Sequence, residues 1–247
     1  MQRTTINLVE LRGRISHIYS TPKVTLITIV TRDYKQQRQK EDRRYPADSP
    51  TVSFFGKEAE GFSEGDMVTI KAHNQSTYDP DRLTSRQECW GDSIERQVPV
   101  FSEAGADSGI FEDDLNRFII RGKVERVTFP AESTGMAFLT VETTDGTYQS
   151  HNAIVYSSRD VRASLARQKV AQGATVEITG RFTTRKKRDE RGKLITLSSL
   201  RAFRIQVVIP ASPEVLEKKH KLPQVKEDII PTIGEATPID VSVRADF

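Results

Sequence analysis

Two short stretches of the sequence carry residue types suited to binding a polymer that has planar rings and charged groups. The first stretch, residues 53–57 (SFFGK), places two aromatic rings side by side ahead of a glycine. Neighbouring side chains of a β-strand point to opposite faces, so one ring can enter a core while the other faces outward. An outward ring can stack on a nucleobase of any identity. We therefore predict that one of Phe54 and Phe55 packs inside and that the other faces outward as a candidate stacking residue, with Lys57 as a candidate binding cation beside them.

The second stretch is a run of cations, with six Lys and Arg among the nine residues 185–193. Such a run on a protruding hairpin can displace counterions from a phosphate backbone. Charge runs at hairpin tips are also often merely solvated, and for the run alone this alternative stays open. The candidate phosphate-binding residues are Arg185, Lys186, Lys187, Arg188, Arg191 and Lys193.

Two further pairs of cations alternate along predicted strands. Arg12 and Arg14 form one pair, and Arg121 and Lys123 form the other. Residues two apart in a strand share a face, so each pair can extend a basic groove.

The charge is distributed unevenly along the chain. Residues 115–210 contain 17 basic and 8 acidic side chains, a net charge of +9, whereas residues 92–114 carry −6. Residues 1–91 carry +2 and residues 211–247 carry −2. A basic domain flanked by acidic connectors is typical of nucleic-acid-binding proteins, with ordinary solvated charge as the alternative.

The sequence contains two copies of one plan. RGRI at 12–15 recurs as RGKV at 121–124, an offset of 109 residues. GDMVTIKA at 65–72 recurs as GATVEITG at 173–180, an offset of 108 residues. Two matches at nearly the same offset indicate a duplicated domain, because a solenoid would show shorter periods and more copies.

Within each copy the apolar periodicity is mostly that of strands. The order is three strands, a short helix and two strands, with the helices predicted over residues 57–62 (KEAEGF) and 160–170 (DVRASLARQKV). This is the order of an OB-fold, a five-stranded barrel that often binds oligonucleotides. The sequence therefore predicts an all-β protein of two tandem five-stranded OB-fold barrels. Its parts are a first barrel, an acidic linker, a basic second barrel and a disordered, proline-interrupted tail, at residues 1–91, 92–114, 115–210 and 211–247.

Four segments together resemble the bacterial-type single-stranded DNA-binding proteins. They are VSFFGKEAEGFSEGDMVTI at 52–70, LNRFIIRGKV at 115–124, SHNAIVYSSRD at 150–160 and GRFTTRKKRDERGK at 180–193. The resemblance implies four OB-folds in one assembly, around which single-stranded DNA wraps, with bases stacked on aromatic rings and phosphates held by cations. Two folds per chain then imply a homodimer.

The resemblance also assigns individual residues. Phe55 and, in the second copy, Tyr156 take the place of a base-stacking aromatic, the alternative being that both rings close the barrel rim. His151 matches a histidine of the family, with a structural role favoured over a base contact. In the first copy's hairpin, Tyr78 and Trp90 are the aromatic candidates; Tyr78 is the preferred stacking residue, and for Trp90 a core or inter-domain role is an equal alternative. The sequence departs from the family where Ser49 or Ser150, and Lys187, replace its tryptophans.

Other classes of function lack support in the sequence. The single Cys89 has no disulfide partner, and no long apolar run suggests export or a membrane span, so a reducing, cytoplasmic setting is expected. The four histidines are scattered and Cys89 has no neighbour at metal spacing, so no metal and no cofactor is expected. Phosphate-binding glycine loops and nucleophile motifs are missing, and we expect no enzymatic activity.

We therefore expect a protein that binds single-stranded DNA with little sequence preference during replication, recombination or repair. The alternatives are an RNA-binding or replication-accessory OB protein and an OB-fold scaffold for other proteins. In the resembling family an acidic and hydrophobic tail tip docks replication or repair proteins, and here Asp246 and Phe247 keep part of that character.

Overall fold

The protein is almost entirely β-structure. In a computed structural model, the described residues are 5–32, 47–79, 84–98, 114–130, 135–145, 148–188 and 194–212. Within these ranges the chain forms eleven strands and one short helix, which confirms the predicted all-β class. Arg191, Lys193, Asp246, Phe247 and most of the predicted linker and tail lie outside the described residues.

The carboxy-terminal half forms a closed five-stranded barrel. The pairings run from β7 through β8, β9, β11 and β10 back to β7. All are antiparallel except that of β9 with β11. The strands are β7 (Leu115–Thr128), β8 (Met136–Asp145), β9 (Tyr148–Ser157), β10 (Thr175–Arg188) and β11 (Leu194–Ile209).

The amino-terminal half repeats this order of pairings. From β1 they run through β2, β4, β6 and β5 back to β1, and we call these five strands the amino-terminal ring. The parallel contact of β4 with β6 consists of two residue pairs, Val52 with Cys89 and Ser53 with Trp90. The strands are β1 (Ile6–Ser20), β2 (Thr25–Arg32), β3 (Ala47–Asp48), β4 (Thr51–Phe54), β5 (Met67–Asp79) and β6 (Thr84–Arg96), with β3 paired to β2.

One of the two predicted helices forms. Helix α1 (Val161–Arg167) follows β9, and Asp160 caps it by accepting a 3.0 Å hydrogen bond from the backbone N–H of Ala163. The helix predicted over residues 57–62 is wrong, because that segment forms turns. Gly56, just before this segment, and Gly61, within it, have φ of 114° and 80°, and the residues between these two positive-φ positions are too few for a helix.

The first copy extends further than residue 91. β6 continues to Arg96, so Asp92–Arg96, predicted as the start of the linker, continue the ladder with β5. A bulge in this ladder breaks the alternation of side chains, and Ile94 is the single residue of the extension that packs against the core. A bulge and one apolar residue leave no clear strand signal in the sequence.

The two halves join through antiparallel pairing of β1 with β7. Seven residue pairs connect them, from Ile6 with Arg121 to Arg12 with Leu115. The middle pair joins Val9 to Phe118, which occupy the same position in the two copies at the 109-residue offset. A residue that pairs with its own counterpart marks a twofold axis, so the halves are related by an approximate twofold rotation.

Equivalent side-chain hydrogen bonds occur in the two halves and are related by the same twofold rotation. The amide of Asn7 donates to the carbonyl of Asn74 at 2.6 Å, and that of Asn116, its counterpart, donates to the carbonyl of Phe182 at 2.9 Å. Asn74 and Phe182 in turn donate their backbone N–H groups to the Oδ1 atoms of the two asparagines, each at 2.9 Å. Each asparagine side chain thus forms hydrogen bonds with the backbone N–H and C=O groups of one strand residue in its own half.

A second set of counterparts ties the halves together at the ends of β5 and β10. The backbone N–H of His151 donates to the hydroxyl of Ser76 at 2.7 Å, and that of Ser49 donates to the hydroxyl of Thr184 at 2.8 Å. The residue that precedes His151 and the residue that precedes Ser49 differ between the two sides. Ser150 lies on one side, whereas Asp48 lies on the other and forms a buried ion pair with Arg181.

The interior of each half is filled by inward side chains of alternating strand residues. The largest fully buried residues include Leu11, Ile29, Phe54 and Ile70 in the amino-terminal half, and Phe118, Ile120, Leu139, Ile154 and Ile178 in the carboxy-terminal half. Among the described residues, the structure contains no helix long and apolar enough to cross a membrane.

Candidate nucleic-acid interface

Phe54 and Phe55 point to opposite faces at the end of β4. Phe54 is fully buried, whereas Phe55 is 52% exposed, as the alternation predicts. Gly91 on β6 makes room for the buried ring, since a Cβ there would lie 2.2 Å from Cε1 of Phe54. The two phenylalanines are thereby fixed in their orientations, and the role of Phe55 in binding stays a prediction.

Phe55 is one of three rings that form an outward-facing group. Its ring centroid lies 5.0 Å from that of Trp90, with the planes at 67°, and Trp90 lies 6.0 Å from His73 at 70°. Trp90 pairs with His73 across the β5–β6 ladder and with Ser53 of β4. Three strands therefore fix these rings, and we call Phe55, His73 and Trp90 the aromatic cluster.

Trp90 lies on the outer surface of the amino-terminal ring and not in the core, which was one of the two alternatives for it. Its neighbour Cys89 is buried, so the alternation of β6 turns the half-buried indole outward. Burial raises the pKa of the Cys89 thiol, which keeps it protonated at neutral pH. Alternation in the sequence puts Cys89 and Trp90 on opposite faces but does not say which of the two faces outward.

Carboxylates surround the aromatic cluster. The indole N–H of Trp90 donates to Oε2 of Glu88 at 3.1 Å, and Nδ1 of His73 lies 2.8 Å from Oδ1 of Asp92. These acids orient the rings and make the local potential unfavourable for phosphate. Lys57 is exposed two residues beyond Phe55, at the edge of the cluster. The cluster is thus built for stacking more than for ionic contact.

The predicted role of Tyr156 as a stacking residue is wrong. Tyr156 is only 8% exposed, and its hydroxyl lies 2.8 Å from Oγ of Ser164 on helix α1. Strand register gives the reason, because Tyr156 pairs with Ala137 as Phe54 pairs with Thr25, which makes it the counterpart of the buried ring. A slip of one residue in matching the two copies exchanges the two faces of a strand.

In the carboxy-terminal barrel, cations replace the aromatic cluster. Arg181 pairs with Arg201 across β10 and β11 as His73 pairs with Trp90. Arg201 is exposed, whereas Arg181 is buried against Asp48. The counterpart of Phe55 is the residue after Tyr156, a serine. The two halves therefore present different chemistry at equivalent positions.

The basic run lies on a long hairpin of β10 and β11. The ladder extends to the pair of Arg188 with Leu194, so residues 185–188 project at the end of the barrel. Arg185, Lys186 and Arg188 are exposed. Lys187 lies in the same strand, and its side chain is outside the described part of the chain. These three exposed side chains lie on the projecting part of the hairpin, and their role in binding phosphate stays a prediction.

The four cations of β1 and β7 lie on the outer face, as predicted. Nε of Arg12 donates to Oγ1 of Thr69 at 3.1 Å, and Arg121 forms an ion pair with Glu177. Arg14 and Lys123 are exposed. The charge of Arg121 is therefore compensated within the protein, and Lys123 is the better placed of the second pair to meet a ligand.

The remaining candidates are His151 and Tyr78. Nδ1 of His151 lies 2.6 Å from Oε2 of Glu125, and its backbone bonds to Ser76 across the junction of the halves, so the residue has a structural role here. Tyr78 lies in β5 opposite Ser85, and its side chain is outside the described residues. In the described ranges, no group of three or more His, Cys, Asp and Glu could hold a metal ion.

A five-stranded closed barrel, with one helix between its third and fourth strands and rings and cations on the outer surface of the molecule, defines an OB-type protein. Among solved structures, the chain is similar to the wild-type single-stranded DNA-binding protein from Thermus aquaticus, with 14% identity and a TM-score of 0.56 over 84% of this chain and 95% of that chain. A deletion mutant of the Thermus aquaticus protein gives 15% identity and a TM-score of 0.57 over 85% and 98%. The sequence matches no protein-family model and no curated protein. At this identity the likeness establishes the fold.

Proposed function

We propose that this protein binds single-stranded DNA with little sequence preference and protects it during replication, recombination or repair. The observation that carries the proposal is the exposed ring of Phe55 held against Trp90 on the outer surface of the amino-terminal ring. A ring face open to solvent on an OB-type surface can stack on any unpaired base. The likeness in fold to the Thermus aquaticus protein supports the same interpretation.

The two halves contribute different parts of the binding energy. The aromatic cluster, surrounded by Glu88 and Asp92, binds bases by stacking. The carboxy-terminal barrel carries the net charge of +9 and the hairpin of residues 185–188, and it binds phosphates. Single-stranded DNA fits both, because only unpaired bases offer free faces and only a flexible strand follows both surfaces.

The chain carries its own reporter for this binding. Trp90 is the single tryptophan of the sequence and lies in the aromatic cluster, so stacking of a base should change its fluorescence. We expect quenching by oligothymidine and much weaker binding of duplex DNA of the same length. The logarithm of the affinity should fall with the logarithm of salt concentration with a slope of about −0.7 per phosphate contacted. Equal affinity for duplex and single strands would contradict the proposal, and an RNA competitor tests the sugar preference.

We further propose that the end of the chain recruits replication or repair proteins. The ring of Phe247 can enter a partner's pocket while Asp246 meets basic residues around it. Deletion of residues 240–247 should leave DNA affinity unchanged or slightly higher, because acids that compete with phosphate are removed. Loss of purified partner binding with unchanged DNA affinity would support this role, and a large loss of DNA binding would contradict it.

A further inference from the structure

Phe203 on β11 is an exposed aromatic residue that the proposed interface does not yet use. Its exposure of 61% exceeds that of Phe55, at 52%. Arg201 and Arg204 lie on either side of it in sequence and are both exposed. Phe203 is thus an exposed phenylalanine that lies between two exposed arginines in sequence, within a strand of the basic barrel. Side chains of these types can bind a ligand that is both aromatic and negatively charged.

A β-bulge aims Phe203 outward. Thr179 pairs with Arg204 and Gly180 pairs with Ala202, so Phe203 has no partner across the ladder and is the extra residue. Bulges of this kind re-aim a side chain and are common near functional sites. Ala202 is buried on the opposite face, which leaves the ring of Phe203 on the outside of the barrel.

The amino-terminal ring has the same bulge with different chemistry. Lys71 pairs with Ser93 and Ala72 pairs with Gly91, so Asp92 is the extra residue there. Along β6 an aromatic residue, Trp90, therefore precedes an acid by two positions. Along β11 the corresponding order is a cation, Arg201, followed by an aromatic residue. A cation, Arg201, thus stands in the place of Trp90, and an aromatic residue, Phe203, stands in the place of Asp92.

We propose that Phe203, with Arg201 and Arg204, forms a second nucleotide subsite in which the ring stacks on a base and the guanidinium groups bind the flanking phosphates. This subsite takes the place that Tyr156 was predicted to fill, and it rests on the proposed function. A nucleic acid is favoured over a second copy of this chain because symmetric packing here would bring the same arginines together. Two like charges face each other unfavourably, whereas phosphate compensates both.

The test compares three variants in oligothymidine titrations with the full chain. Phe203→Ala and Phe203→Leu should each weaken binding roughly 5- to 150-fold, because both remove the aromatic face. Val208→Ala is the matched control, since Val208 is 45% exposed on the same strand, and its affinity should equal that of the wild type. The loss should appear only with oligonucleotides long enough to reach both halves. Short ones that occupy the aromatic cluster alone should quench Trp90 equally in all three variants.

The outcomes separate the subsite from the proposed function. If long oligonucleotides bind Phe203→Ala as tightly as wild type while Trp90 is still quenched, the subsite is overturned and the proposed function stands. If the wild type fails to bind single-stranded DNA, both are overturned. A halved mass of Phe203→Ala in light scattering, with unchanged DNA affinity, would show instead that Phe203 contacts a second copy of the chain.

Discussion

At the scale of single residues, Phe55 is the most informative position to change. Phe55→Ala should weaken binding of single-stranded DNA by about 1–3 kcal/mol, because the variant lacks one stacking face. The slope of affinity against salt should stay nearly constant, since no charge is removed. Fluorescence anisotropy of a labelled oligothymidine across a salt series measures both quantities.

Tyr156→Phe is the matched control for this prediction. Tyr156 is buried, and its hydroxyl bonds to Ser164, so removing that hydroxyl should lower the free energy of unfolding by about 1 kcal/mol. Its DNA affinity should equal that of the wild type. A stronger effect on DNA binding at Tyr156 than at Phe55 would reverse the assignment of the two rings.

The same residues show what a sequence can predict at this scale. That Phe54 and Phe55 face opposite ways followed from alternation, whereas the choice of Phe55 as the outward ring came from the family resemblance. Tyr156 has no aromatic neighbour, so nothing local distinguished its two possible faces. The outward direction of Trp90 could be predicted only if Cys89 was known to pack inward, and that depends on the parallel pairing of β4 with β6.

At the scale of elements, Gly91 connects the core to the aromatic cluster. Gly91→Ala should lower the free energy of unfolding by about 1–3 kcal/mol, because the new Cβ would lie 2.2 Å from a ring carbon of Phe54. Gly135→Ala is a milder control, with its nearest atom, the carbonyl oxygen of Ser158, at 3.3 Å. Urea unfolding of both variants checks the prediction, and equal stability would mean that Phe54 can shift freely.

The hairpin of β10 and β11 should govern the salt dependence of binding. Replacing Arg185, Lys186, Lys187 and Arg188 by Ser should flatten the salt slope by up to about 0.7 for each phosphate that the hairpin neutralises. Removing Arg159 and Arg167, which are exposed at the ends of helix α1 in the same barrel, should leave the slope unchanged. A flatter slope in both variants would indicate net charge alone and contradict a localised phosphate-binding surface.

Elements were predictable where the signal was local. The helix predicted over residues 160–170 forms as α1, where Asp160 caps it and Val161 and Leu165 are buried. The helix predicted over residues 57–62 does not form, because Gly56 before the segment and Gly61 within it have positive φ. The end of β6 was missed because its last residues are held by pairing with β5 and by an ion pair of Arg96 with Asp66, interactions that composition does not encode.

At the scale of the whole molecule, we predict a homodimer. β1 and β7 already pair with each other within one chain, so these two edges are not available to a second chain. On their outer face, half-buried Leu8 and Ile119 lie opposite each other beside the twofold axis. We place the dimer contact at these two residues, where the same apolar patch on two chains can pack together about a twofold axis.

Light scattering checks this prediction. The wild type should show about twice the chain mass of 27.9 kDa at micromolar concentration, and Leu8→Lys should show a single chain because a charge enters the apolar contact. Lys71→Ala, on the same face but farther from the axis, serves as the control and should keep the double mass. A monomeric wild type would rule out this assembly.

Duplication was predictable at this scale from two sequence matches, but the arrangement of the copies was not. The pairing of Val9 with Phe118 joins residues 109 positions apart, and no local pattern specifies which edges meet. The asparagines at positions 7 and 116 are counterparts in the two copies, and each also donates a hydrogen bond across the junction, to Thr143 and Thr31 respectively. They were not recognised from the sequence, because a half-buried amide leaves no periodic signal.

The covalent connection between the halves has an evolutionary consequence. In an assembly of identical chains, any substitution at a twofold contact appears on both sides at once, so an acid gained on one side is gained on the other. Here a single gene encodes both sides, and the connection keeps the partners at high effective concentration whatever their sequences become. Asp48 and Arg181 occupy one side, while Ser150 and His73 occupy the other. Tethering thus allows the two halves to carry different residues at equivalent positions, as Trp90 and Arg201 do.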